Sequence, residues 1–80
     1  MSEIKDDLAE VLALLVDAPR EIAISEGSGD EGPRLEVGVA DRDLGVVIGR
    51  QGRTARALRR LLAARANHGD ALWDLTILDN

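Results

Sequence analysis

The spacing of the apolar residues switches between a helical period of about 3.6 and a strand period of about 2 along this chain, and few folds accept that order of switches. Ile4, Leu8, Val11, Leu12 and Leu15 recur on one helical face, Ser2 is placed to cap the start, and Glu3 and Asp6 fall in the first turn. A first helix is therefore expected to about Asp17, and Pro19 ends it. Ile22 and Ile24 alternate with small or polar neighbours as a short strand does. Leu35, Val37 and Val39 alternate with Arg34, Glu36 and Gly38, a second strand most simply paired with the first as a hairpin. Between them, residues 26–33 hold three glycines, a serine and three acids with no periodic apolar content, which reads as a loop.

Asp41 stands where an N-cap is expected, ahead of a short helix over residues 42–48 that carries Leu44, Val47 and Ile48 inward and stops at Gly49. A longer helix begins near Arg53. On its wheel Leu58, Leu61 and Leu62 share one face, and Arg53, Arg56 and Arg60 fall in a narrow arc on the other. Arg65 falls at the angle of Leu58 and Leu61, so its charged head is expected to snorkel out near the helix end. Asn67, His68 and Gly69 read as the helix stop, and Trp73, Leu75 and Ile77 alternate as a third strand. The expected class is α+β with the order α-β-β-α-α-β.

Eighty residues leave too little interior for two cores, so residues 1–80 are expected to form one domain. A domain this small has a thin stability margin, and with no cysteine it has neither a disulfide nor a thiolate metal site, which makes self-association a reasonable expectation. The N-terminus lacks a basic segment followed by an apolar run, and the apolar stretches are too short to span a bilayer, so a soluble cytoplasmic protein is expected. The net charge of −5 would at first disfavour a nucleic-acid partner. It is, however, segregated: residues 44–69 contain six arginines and no acid, giving that segment +6 and the remainder −11. A basic element on an acidic body can hold a phosphate chain while the body limits indiscriminate binding.

The basic segment contains Ile48-Gly49-Arg50-Gln51-Gly52-Arg53, at the junction of the two predicted helices. Two glycines bracketing two polar residues let the backbone turn tightly and let a sugar-phosphate chain approach it. The amides opening the next helix favour negative charge, and Arg50 and Arg53 add mobile donors. Nothing here resembles a deep pocket; the chemistry suits the phosphates of a polymer. The string resembles the KH family, whose signature is an Ile-Gly-x-x-Gly loop between two helices, and across nearly the whole chain it is similar to the small bacterial single-domain KH proteins, the KhpA kind. The resemblance implies a type II KH domain with a three-stranded sheet packed on one side by three helices. It further implies that the loop clamps the backbone of about four nucleotides of single-stranded RNA while their bases lie along an aliphatic groove. Carried over, Gly49, Arg50, Gln51 and Gly52 form the clamp, Val47 and Ile48 line the groove, and Arg53 and Arg56 add contacts. Arg50 stands where the family commonly has Lys, which keeps the charge and adds a planar donor fork. The resemblance also implies homodimerisation, or pairing with a larger Jag-type KH protein, and a role as an RNA chaperone or post-transcriptional regulator.

Plainer readings stand beside these. Glycines at 49 and 52 also serve as a helix stop and a turn, the arginine stripe as a solvated face, and at least one of Val47 and Ile48 as core. Of the stripe, Arg53 is best placed for RNA because it abuts the loop. His68 at a helix end has an ordinary capping role, and Trp73 more plausibly closes the sheet than stacks on a base. The glycines at 45, 49 and 52 form neither a dinucleotide fingerprint nor a P-loop, Asp41 and Asp43 are accounted for as helix-start residues, and Ser25 and Ser28 have no nearby base. No catalytic constellation can be assembled, and neither enzyme activity nor a cofactor or metal is expected.

Overall fold

The computed structural model describes residues 3–30, 32–67 and 71–79. Helix α1 spans Glu3–Leu15, strand β1 Ala23–Gly29, strand β2 Gly32–Gly38, helix α2 Asp41–Ile48, helix α3 Arg53–Ala66 and strand β3 Asp74–Ile77, with single 3-10 turns at Pro19–Glu21 and Arg50–Gly52. This is the α-β-β-α-α-β order of an α+β fold. The expected Ser2 cap, and His68 and Gly69 of the expected helix stop, lie outside the described residues.

The sheet runs β1-β2-β3. β1 and β2 are antiparallel, with Ile24 opposite Val37 and Gly29 opposite Gly32. β3 joins β2 in parallel, Leu35 opposite Leu75 and Val37 opposite Ile77. A parallel partner requires a crossover, and here α2 and α3 supply it. Leu35, Val37 and Leu75 meet Ile4, Leu8 and Leu12 of α1, Val47 of α2, and Leu58 and Leu62 of α3 in one buried cluster. The three helices thus cover one face of the sheet.

Two expectations about the chain's course change. Most of residues 26–33 is not a loop: Glu26 to Gly29 belong to β1 and Gly32 and Pro33 to β2, in a continuous ladder. Main-chain hydrogen bonds hold such a ribbon without any apolar side chain, so it leaves no hydrophobic period to read. Likewise α1 ends at Leu15, and although Val16 still packs into the core, Leu15 is 38% exposed.

Asp41 is the first residue of α2 rather than its cap, and no side chain caps this helix. Asp43 has a longer reach. It is 1% exposed, and its carboxylate accepts the amide of Asp17 at Oδ1 and that of Ala18 at Oδ2, each at 3.0 Å. Those amides lie just beyond α1, so one side chain ties the end of the first helix to the start of the second. Arg65 does not simply snorkel: it pairs with Asp7 and joins α3 to α1.

Candidate nucleic-acid interface

Helix α2 stops because Gly49 turns to φ 79°, ψ 169°, a region essentially confined to glycine, while its amide still donates to the Gly45 carbonyl at 2.8 Å. A Cβ at this position would lie 2.7 Å from Thr54 Cβ and 2.8 Å from Thr54 N, so the close approach of the two helices also excludes a side chain. The chain then makes one tight turn in which the Gly52 amide donates to the Gly49 carbonyl at 3.1 Å. Gln51 (φ 57°, ψ 24°) and Gly52 (φ 73°, ψ 16°) are both left-handed. Arg53 then opens α3, whose first turn has neither an acid nor a side-chain cap. The Arg53 amide donates to the Arg50 carbonyl, and the amides that follow it have no side-chain cap, so an anion or water can meet them. Arg50 and Gln51 belong to this turn, the end of the Arg56 side chain approaches Gly52, and Arg53 Nη2 donates to Gln51 Oε1 at 3.3 Å.

Beside the turn lies an open groove of about 570 Å³. Ile48, Gly52, Ala55, Arg56 and Arg59 form its helical wall, and residues 74–77 of β3 form the other. β3 is an edge strand. Leu78 N–H reaches back to the Val37 carbonyl at 2.8 Å, so the alternation of a parallel ladder turns the main-chain groups of Leu75 and Ile77 away from β2. Those of Leu75 are already satisfied: its N–H donates to Asp74 Oδ1 at 2.9 Å, and its carbonyl accepts from Arg59 Nη2 at 3.2 Å.

A sequence profile for the KH domain of KhpA and KhpB matches residues 5–77. The chain belongs to that family. Relatives include the RNA-binding protein KhpA of Treponema pallidum, 40% identical over 72 residues (90% of each chain), and that of Chlamydia caviae, 38% identical over 76 residues (95% of this chain and 97% of the relative). The RNA-binding protein KhpA of Leifsonia xyli is 47% identical over 60 residues, 75% of this chain and 79% of its own. No solved structure matches significantly.

In this KhpA/KhpB-family chain the expected site residues divide between several places. Ile48, Gly52 and Arg56 line the groove, while Gly49, Arg50 and Gln51 form the turn at its end. Arg53 lies on the other side of α3, in a depression with Leu61. Val47 is 0% exposed and belongs to the core, so Ile48 alone of that pair reaches the groove, 38% exposed. Arg59 was absent from the expected arginine stripe, although it lies seven residues beyond Gly52 and three beyond Arg56, a spacing that shares one helix face. The β3 wall had no sequence signal. Among the described residues no cluster of His, Cys, Asp or Glu could hold a metal ion, and no helix is long and apolar enough to cross a membrane.

Proposed function

We propose that this chain is a non-catalytic single-stranded RNA-binding protein of the cytoplasm, acting as an RNA chaperone or post-transcriptional regulator. The turn at Gly49, Arg50, Gln51 and Gly52 clamps the RNA backbone, and bases lie in the groove beside Ile48. The observation that carries this reading is the conjunction of three features at one place: an uncapped helix start, a side-chain-free turn at Gly49, and an open groove beginning at Gly52. A backbone phosphate can approach the main chain only where Cβ atoms do not intervene, and leading amides with nearby guanidinium groups then supply its donors. The curated relatives named above are RNA-binding proteins, which supports the choice of ligand.

The test is Arg50→Asp/Gln51→Asp. Aspartate tolerates the left-handed conformation at position 51 better than most residues, so circular dichroism should show an unchanged fold. Charge-assisted contacts are worth about 1.5–3 kcal/mol each, so affinity for a labelled single-stranded RNA pool should fall on the order of 100-fold. For the wild type, affinity should fall with salt at a logarithmic slope of about −0.7 per phosphate contacted. Equal affinity of the folded variant and the wild type would reject the clamp.

A second reading, compatible with the first, is self-association. Val11 and Leu15 of α1 and Ala57, Leu58 and Leu61 of α3 line an open apolar depression of about 530 Å³. Leu61, expected in the core, is instead 38% exposed. At 100° per residue this face of α3 lies opposite the one that lines the groove, so a second copy seated here leaves both grooves open and can bring two clamps to one strand. A larger Jag-type KH partner is the other occupant. Leu61→Asp should convert a dimer to a monomer in sedimentation analysis with RNA binding by each domain intact; a wild type that is monomeric at tens of micromolar would leave the face to the larger partner.

A further inference from the structure

Beyond the clamp groove lies a second depression, about 250 Å³, walled by Pro33, Arg59, Leu72, Trp73 and Asp74. Arg59 and Asp74 line both depressions, so a strand lying in the first has a continuous path to the second. We propose that this second depression is a nucleobase subsite selective for guanine. The inference rests on the RNA-binding reading above and extends it to a set of residues outside the clamp.

The argument is chemical complementarity. Trp73 is the only Trp, and the chain has no Phe or Tyr; it packs in part against the core yet keeps part of its ring accessible, and with Pro33 and Leu72 it offers an apolar surface on which a base can stack. Arg59 and Asp74 are already anchored, because each bonds one of the two main-chain groups of Leu75, which point to the same side of the strand. Both polar groups are therefore held at one edge before any ligand arrives. Arg59 uses one guanidinium donor in that bond and retains the others, and the Asp74 carboxylate retains acceptor positions. A donor fork beside an acceptor-only group matches guanine, which offers acceptors at N7 and O6 and, on the adjoining edge, donors at N1 and N2. Adenine offers this pair one acceptor and one donor at N7 and N6, cytosine a single amine for the carboxylate, and uracil a single donor, so guanine alone can engage both groups with two bonds each. The carboxylate also makes the pocket poor for a phosphate, so it is a base that enters. Since the Leu75 main chain is closed by these same side chains, base reading at this point falls to them.

The test uses labelled RNA hexamers of uridine carrying one guanine, one adenine or one inosine. Wild type is expected to bind the guanine hexamer about tenfold tighter than the adenine hexamer, the discrimination of one good bidentate contact. Inosine, which lacks the 2-amino group, should fall between, and the guanine hexamer should quench Trp73 fluorescence. Asp74→Asn can still accept the Leu75 amide through Oδ1 and should keep the fold. It should bring the guanine-to-adenine ratio to within about twofold of unity. Arg59→Lys, which keeps the charge but loses the fork, should lower the ratio as well. A wild-type ratio near unity, a ratio unchanged by Asp74→Asn, or an unquenched Trp73 overturns the subsite. Where one of these overturns the subsite, hexamer binding that the Arg50→Asp/Gln51→Asp change abolishes shows that the clamp stands and only the subsite falls. If wild type binds no hexamer, both fall.

Discussion

Asp43→Ala is expected to cost about 3–5 kcal/mol of folding stability, because it leaves the amides of Asp17 and Ala18 without their acceptor, the first in a part-buried bond and the second in a buried one, at roughly 1–3 kcal/mol for each stranded donor. The carboxylate itself is 1% exposed, so water cannot simply replace it. A chain of this length holds only about 4–12 kcal/mol in total, so the variant should sit close to the unfolding threshold. With each kcal/mol worth roughly 4–8 °C in a domain of this size, its melting temperature should drop by more than about 12 °C. Asp43→Asn is the sharper probe. It is nearly isosteric, yet its amide nitrogen would face one of the two backbone donors, so it should lose most of the same stability; thermal and urea unfolding measure both. A loss below about 1 kcal/mol in each variant would mean that the two amides find other partners and that Asp43 does not tie α1 to α2.

Gly49→Ala is expected to damage both the fold and the RNA site, and Gly52→Ala much less. At Gly49 the backbone lies in a region that costs a residue with a Cβ about 1–3 kcal/mol, and the added carbon would sit within 2.8 Å of Thr54 Cβ and Thr54 N. The second contact is with main chain, which cannot rotate away, so α3 itself must shift; overpacking of this kind adds about 1–3 kcal/mol. At Gly52 the nearest atom to an added Cβ is the end of the Arg56 side chain at 3.5 Å, an ordinary contact, and only a left-handed penalty of about 1–2 kcal/mol remains. Urea unfolding should therefore rank wild type, Gly52→Ala and Gly49→Ala in falling order. RNA titration of whatever fraction stays folded should show the larger loss for Gly49→Ala, since displacement of α3 moves its leading amides and one wall of the groove. Equal stability of the two alanine variants would refute the close approach at Thr54.

Much of the turn is legible in the amino-acid sequence. Gly49 as a stop and Arg53 as a start emerge from the ends of two apolar periods, and the helix boundaries fall at those residues. Such signals are local, carried by the conformational preferences of neighbouring residues. Misreadings arise where a local pattern has more than one use. Leu15 and Leu61 extend real apolar stripes, but the stripes are wider than the core they face, so the outer residue of each stays at the surface. Val47 and Ile48 are adjacent and both aliphatic; only the direction from which the sheet approaches α2 makes one core and the other groove. Asp43 looks like one more acid in a helix's first turn, because nothing near it in sequence hints that its partners lie 25 and 26 residues away.

The same division holds for the whole protein. Its amino-acid sequence determined the kinds of element, their order, the residues at which α2 ends and α3 begins, and the concentration of positive charge on the second half of that pair, all set by interactions within a few residues. Tertiary structure alone decided that β3 lies parallel to β2 at the sheet's edge, which sets Leu75 beside Arg59 and makes a groove out of a helix face and a strand. Side chains contribute to that pairing through a core shared by distant segments, whereas the ladder itself is main-chain bonding that any residue but proline can donate to. Its placement therefore has no local signature, and the groove becomes visible only when the chain has closed on itself.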